Sequence, residues 1–116
     1  MSDSIQALTR EICAFRDERD WLQFHNPREM AVAIAAEAGE LLQHFVWQSA
    51  AQSESRVRER RPELASEMAD IAILLLEMAA NCDIDLAASI RAKLARNAER
   101  YPVEKARGSN RKYNEL

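Results

Sequence analysis

Two acidic pairs carry the chemical signal in this chain: Glu37-Ala38-Gly39-Glu40 and Glu67-Met68-Ala69-Asp70. Each has i, i+3 spacing inside an alanine-rich, otherwise apolar stretch that reads as helix, and residues three apart project from the same side of a helix. Four carboxylates gathered near a core repel one another and lose solvation, which a fold tolerates when a cation sits among them. Oxygen ligands without soft sulfur or paired imidazoles select Mg²⁺, with Mn²⁺ as its substitute. Mg²⁺ held by a few carboxylates keeps positions open for substrate phosphate. The pairs therefore point to a metal-dependent enzyme acting on a phosphate compound, with Glu37, Glu40, Glu67 and Asp70 as metal ligands.

One such pair alone would be an ordinary solvated helix face. The second pair changes this, because it adjoins Ile71, Ile73, Leu74, Leu75 and Leu76, a turn apolar nearly all round with little solvent face to spare. Gly39 costs its helix about 1 kcal/mol relative to Ala, which is accounted for by close approach of another helix or a ligand. Glu77, about two turns beyond Asp70, is open to three readings: a distal ligand, a partner for an arginine, or an exposed side chain.

The elements that must position these groups are helical. The chain has 116 residues, two glycines, three prolines and a net charge of −3. No alternating β-branched run occurs, so the composition is all-α. A first helix starts near Ser2 or Ser4, buries Ile5, Leu8, Ile12 and Phe15, and fades near Arg19. Asp20 to Asn26 is a loop carrying Trp21, Phe24 and His25. Asn26-Pro27 caps and opens a second helix, expected to run to about Trp47. Ser49 to Arg61 reads as a surface connection with at most a short helical piece. A third helix follows from Pro62 to about Asn81, and a fourth, capped by Asp83 or Asp85, runs to about Arg100 before Pro102 stops it. The expected organisation is one helical catalytic domain over 1–102 and an irregular basic tail over 103–116.

The negative balance argues against a nucleic-acid polymer as partner. The C-terminal quarter is nonetheless basic, and a basic end beside an acidic metal site suits a polyphosphate. Cys13 and Cys82 lack metal-type spacing and fit a reducing compartment. No signal peptide opens the chain and its longest apolar run is too short to cross a bilayer, so a cytoplasmic protein without a membrane partner is expected.

Glu37, Glu40, His44 and Trp47 are spaced three, four and three and should share one stripe, with Trp47 roughly 10 Å beyond Glu40 along the axis. Trp21, His25 and Trp47 are candidates for the substrate's base, since aromatic stacking contributes about 1–3 kcal/mol per base. Core packing is the ordinary alternative for the tryptophans, and a structural hydrogen bond for His25. Lys93, Asn97 and Tyr101, spaced four and four, suit contacts to phosphate and hydroxyl groups.

Glu37-x-x-Glu40 followed by Glu67-x-x-Asp70, all on helices, resembles the metal signature of the MazG-like all-α nucleoside triphosphate pyrophosphohydrolases, nearest to their dCTP pyrophosphatase branch. The blocks Arg19 to Arg28, Phe45-Val46-Trp47, Arg100-Tyr101-Pro102-Val103 and Arg107-Gly108-Ser109 extend the likeness over nearly the whole chain. The resemblance implies a four-helix bundle assembled as a dimer or tetramer with shared sites. It also implies hydrolysis of a nucleoside triphosphate between the α and β phosphates, with Glu37, Glu40, Glu67 and Asp70 on Mg²⁺. Trp21 and Trp47 would border the base pocket, and Lys93, Asn97 and Tyr101 would meet triphosphate and sugar. Ile12 and Leu74 stand where the family's animal dCTP enzymes carry a histidine and a tyrosine, which weakens the expectation of strict cytosine selection. Glu37 or Glu40 would in addition orient or deprotonate the attacking water. A non-catalytic helical interaction module is the rival reading. A di-iron carboxylate bundle requires Glu-x-x-His motifs, and neither pair ends in histidine.

Overall fold

The computed structural model describes residues 4–116. Helix α1 spans Ile5–Glu18, α2 Pro27–Gln43, α3 Ala50–Glu59, α4 Arg61–Asn81, α5 Leu86–Arg100 and α6 Val103–Ala106, with single 3₁₀ turns at Leu22–Phe24 and Tyr113–Glu115. No strand occurs among the described residues, and no helix among them is long and apolar enough to cross a membrane. The chain divides into two compact units, the first ending at Asp83 and the second beginning at Ile84.

The helix starts follow local chemistry. Ser4 accepts a hydrogen bond from the Ala7 amide, Asn26 from Glu29 with Pro27 at the first helical position, and Asp85 from Ala88. Each side chain satisfies one of the amides a helix leaves orphaned at its start. Ser2, the other candidate cap for α1, lies outside the described residues.

Three expectations are corrected. The second helix ends at Gln43, not near Trp47: His44 is its C-cap, and the chain tightens there through Phe45 N–H to Leu42 and His44 N–H to Leu41. Trp47 has φ +65° and is 96% exposed, so it leaves the stripe of Glu37 and Glu40. The segment after Ser49 is a ten-residue helix with a full capping box between Ser49 and Gln52. Its apolar content is too low for a periodic pattern, and the cap was the available signal. In α1 the innermost residue is Arg16, while Leu8 and Phe15 are exposed.

Within the first unit α4 is the central element, packed against α1, α2 and α3, with its most extensive contact to α2. On α2 the covered stripe runs Met30, Ile34, Glu37, Leu41 and His44. On α4 it runs Leu64, Glu67, Ile71, Leu74 and Met78. Both follow alternating spacings of three and four, the pattern of a packed helix pair. Glu37 and Glu67 thus occupy positions where this pattern ordinarily places an aliphatic side chain.

Gly39 does not mark a close helix approach within this chain, because a Cβ built there meets nothing within 4 Å. Gly39→Ala should therefore raise stability by about 0.5–1 kcal/mol through the helix propensity it restores, a gain that urea denaturation would register.

Candidate metal centre

The α2–α4 contact brings oxygens of Glu37, Glu67 and Asp70 within 4.8 Å of one another. Two of the three come from α4, where i, i+3 spacing aims Glu67 and Asp70 in one direction, and the third faces them from the covered stripe of α2. Glu40 is exposed and stands outside this group of three. Its carboxyl nevertheless lies near enough to Glu37 and Glu67 to act on the protonation of both. His44 completes the rim, with Nε2 3.9 Å from Glu67 Oε1.

This arrangement is electrostatically unfinished. Loss of solvation is the first cause holding the Glu37 carboxyl above the ordinary carboxylate range, followed by Glu40 and then the charges of Asp70 and Glu67. Glu67 is raised in the same way, by lost solvation, Glu40 and Asp70, and His44 partly opposes the rise. Glu37 Oε2 and Glu67 Oε2 are buried without a hydrogen-bond partner. A buried acceptor with no donor carries the full cost of its desolvation, and a cation removes that cost from several carboxylates at once. The residues present therefore fit a divalent metal: three convergent oxygen ligands, a fourth carboxylate beside them and no sulfur.

The opposite end of the same unit is a finished polar cluster. Glu77, 3% exposed, accepts from His25 Nδ1 at 2.7 Å and from Asn81 Nδ2 at 2.9 Å through one oxygen. Arg16 donates to Asn81 Oδ1 at 2.7 Å and to Asp17 Oδ1 at 2.8 Å, and its Nη1 lies 3.8 Å from Glu77. Of the three readings open for Glu77, the arginine partner holds. His25 is tied down through Nδ1, leaving Nε2 as its free ring nitrogen. Its ring is tilted against Trp21 at 6.3 Å, and Trp21 meets Phe15 edge-on at 5.9 Å. Glu77 thus anchors the loop that presents Trp21.

An apolar groove of about 450 Å³ opens between α1 and α4, lined by Ile12, Phe15, Ile73 and Leu76 among others, with Glu11 as its one charged wall. In the second unit, Lys93 and Asn97 lie on α5, and Tyr101 is its C-cap, bonded through its amide to the Asn97 carbonyl at 2.8 Å. The Tyr101 ring meets Tyr113 edge-on at 6.1 Å.

With this geometry established, kinship is decisive. The chain matches the MazG-like family over residues 32–116. It belongs to the MazG-like family. Within it the chain stands with the dCTP pyrophosphatase branch. It is 37% identical to dCTP pyrophosphatase 1 of Rattus norvegicus over 97% of this chain and 68% of that protein. The Homo sapiens protein of the same name is 36% identical with the same coverage. A pyrophosphatase structure from Archaeoglobus fulgidus DSM 4304 has a TM-score of 0.82 at 31% identity, covering 88% of this chain and 95% of that one. The all-α architecture is therefore that of the MazG-like fold, with α1, α2, α4 and α5 as the four expected long helices and α3 and α6 in addition.

Because the raised carboxyls of this MazG-like chain bind protons more tightly folded than unfolded, where glutamate titrates near about 4.3, the fold is penalised as pH rises from that value through their folded pKa. In metal-free protein, Glu67→Gln should gain Tm over wild type, and the gap should widen from about pH 4 to neutral pH. Adding Mg²⁺ at neutral pH should close the gap by stabilising wild type alone. Thermal unfolding across a pH series checks this, and a gap independent of pH would contradict it.

Proposed function

We propose that this protein hydrolyses deoxynucleoside triphosphates, dCTP and related modified pyrimidine nucleotides among them, to the monophosphate and pyrophosphate in a Mg²⁺-dependent reaction. Its class is that of its relatives, a nucleoside triphosphate pyrophosphatase and hydrolase. The observation that carries the metal dependence is the pair of buried, partnerless oxygens on Glu37 and Glu67. An interaction module, the rival reading, has no use for such a pair.

In this reading Glu37, Glu67 and Asp70 hold the cation, with Mn²⁺ as its substitute and Glu40 at its edge. The bound metal would neutralise phosphate charge and favour ionisation of a nearby water. Glu40, exposed and outside the group of three, would in this reading orient that water and accept its proton. The water oxygen bonds to the α phosphorus, and the α–β bridging oxygen departs with pyrophosphate. Positioning and charge neutralisation do most of the work in such a reaction. Trp21 and Trp47 are proposed to stack on the base, with His25 offering its free Nε2. Lys93, Asn97 and Tyr101 are proposed for triphosphate and sugar on the strength of the resemblance. If the base enters the groove with Ile12 on its wall, its apolar lining offers little polar discrimination, which supports a broad preference.

Glu40→Ala and Asp70→Ala should each abolish pyrophosphate release while leaving far-UV circular dichroism unchanged; wild-type-like turnover in either would sink the site. Across a nucleotide panel, kcat/KM should vary by no more than about two orders of magnitude, the reach of apolar contacts worth 1–3 kcal/mol. A preference for one base far beyond that range would mean a polar reader exists in the pocket. Trp47→Ala should raise KM with little change in metal affinity, since the indole buries almost nothing within this chain.

We also propose a homo-oligomer, dimer or tetramer, located in the cytoplasm. Apolar side chains such as Phe15, Leu42, Met68 and Leu94 are exposed, and surfaces of this kind are ordinarily covered by a partner. The thiols of Cys13 and Cys82 are free, as suits a reducing compartment. Light scattering at low micromolar concentration should report more than one chain per particle, and an active monodisperse monomer would contradict the assembly.

A further inference from the structure

The helix that sequence patterning overlooks brings two arginines to the edge of the acidic cluster. Arg56 and Arg60 are four apart, the second being the C-cap of α3, with its amide bonded to the Arg56 carbonyl at 2.8 Å. Together with Gln43 and His44 they line a pocket of about 260 Å³. At about 30 Å³ per water molecule in the liquid, this is ample for a phosphoryl group and its remaining hydration.

The two guanidinium groups are poorly answered by the protein. Arg56 is half-buried and makes no side-chain hydrogen bond or ion pair with any described residue. Arg60 has only a marginal contact, Nη1 to Glu63 Oε1 at 4.0 Å, with half of its side chain exposed. Cations do favour a helix C-terminus, worth about 0.3–1 kcal/mol at an exposed site. That explains basic residues in the last turn of α3, but not why one of them is half-buried in a concave site without an acid. Arg58, on the same helix, shows the ordinary alternative: it is exposed and donates to Ser55 Oγ at 3.2 Å.

The pocket shares a wall with the acidic cluster. His44 lines it, and His44 Nε2 is 3.9 Å from Glu67 Oε1. A ligand spanning both places would meet carboxylates, which call for a cation, and then forked guanidinium donors, which match phosphate oxygens bidentately. Gln43 adds amide donors. The capping box at Ser49 and the packing of α3 on α4 hold this wall in place.

We propose that Arg56 and Arg60, with Gln43 and His44, form a phosphate-binding pocket beside the acidic cluster that takes the pyrophosphate end of the substrate. This deepens the function proposed above and rests on it for the identity of the ligand, but the anion site itself is testable without catalysis. Holding the β and γ phosphates there fixes the leaving group and answers the charge that accumulates on it as the bond to the α phosphorus breaks.

The test is calorimetric titration of inorganic pyrophosphate, with Mg²⁺ present, into wild type, Arg56→Gln, Arg60→Gln, Arg56→Lys and Arg58→Gln. Arg56→Gln should weaken pyrophosphate binding about tenfold or more, the scale of a lost hydrogen bond to a charged group. Arg60→Gln should act in the same direction, Arg56→Lys should recover part of the loss, and Arg58→Gln should match wild type. Binding of a nucleoside monophosphate should change less than twofold throughout. Absence of pyrophosphate binding to wild type, or equal binding by Arg56→Gln and Arg58→Gln, overturns the pocket. If Arg56→Gln does not fold, Arg60→Gln and Arg56→Lys decide by the same comparison. Turnover of triphosphates with pyrophosphate binding indifferent to Arg56 would overturn the pocket and keep the enzyme. Arg56-dependent binding without turnover of any triphosphate would keep the pocket and overturn the enzyme.

Discussion

Two glutamates set into the seam between α2 and α4 govern the first unit of this protein. Glu37 and Glu67 stand on the covered stripes of their helices, in slots that the spacing of Met30, Ile34 and Leu41 on one side and Leu64, Ile71 and Leu74 on the other would give to aliphatic side chains. Each keeps one oxygen buried and without a donor. A helix pair that closes over such groups favours their protonated form, the direction in which lost solvation and the neighbouring carboxyls move both, or admits a cation. The packing and the chemistry are thus one problem, solved at the same two positions.

Helix α4 shows what a solved version looks like. Glu67, Asp70, Leu74 and Glu77 follow one another at spacings of three, four and three, so a single stripe carries carboxylates at both ends. At the far end Glu77 is more deeply buried than the cluster residues, yet it has His25, Asn81 and Arg16 around it. Buried charge is tolerable when it is paired and hydrogen-bonded. The contrast between the two ends separates structure from chemistry: one carboxylate fastens a loop, whereas the others are kept short of partners that the protein could have supplied.

The acidic pairs, the helix starts at Asn26 and Asp85 and the all-α class were legible in the residues because each rests on local rules of spacing and capping. What escaped was decided elsewhere. The end of α2 at Gln43 has no glycine or proline to announce it, so periodicity carried the helix on to Trp47. Helix α3 lacks an apolar stripe, and only Ser49 and Gln52 betrayed its start. Arg16 and Glu77 were invisible as a pair because they lie far apart in the chain and neither has a motif around it. Leu8 and Phe15 have helical spacing as expected, but spacing cannot say that the groove they border stays open in a single chain.

Trp47 sits in the left-handed region, as do Asp20 and Asp83. For aspartate this is familiar, since a short polar side chain can bond locally there. For a bulky indole it is an outlier, with a local cost of about 1–3 kcal/mol. Nothing inside the chain repays that cost, because the ring is almost wholly in solvent. Asparagine or glycine would suit the backbone better at this bend. The side chain here works against its own turn, and the base stacking proposed for it is the kind of contact that would offset the strain.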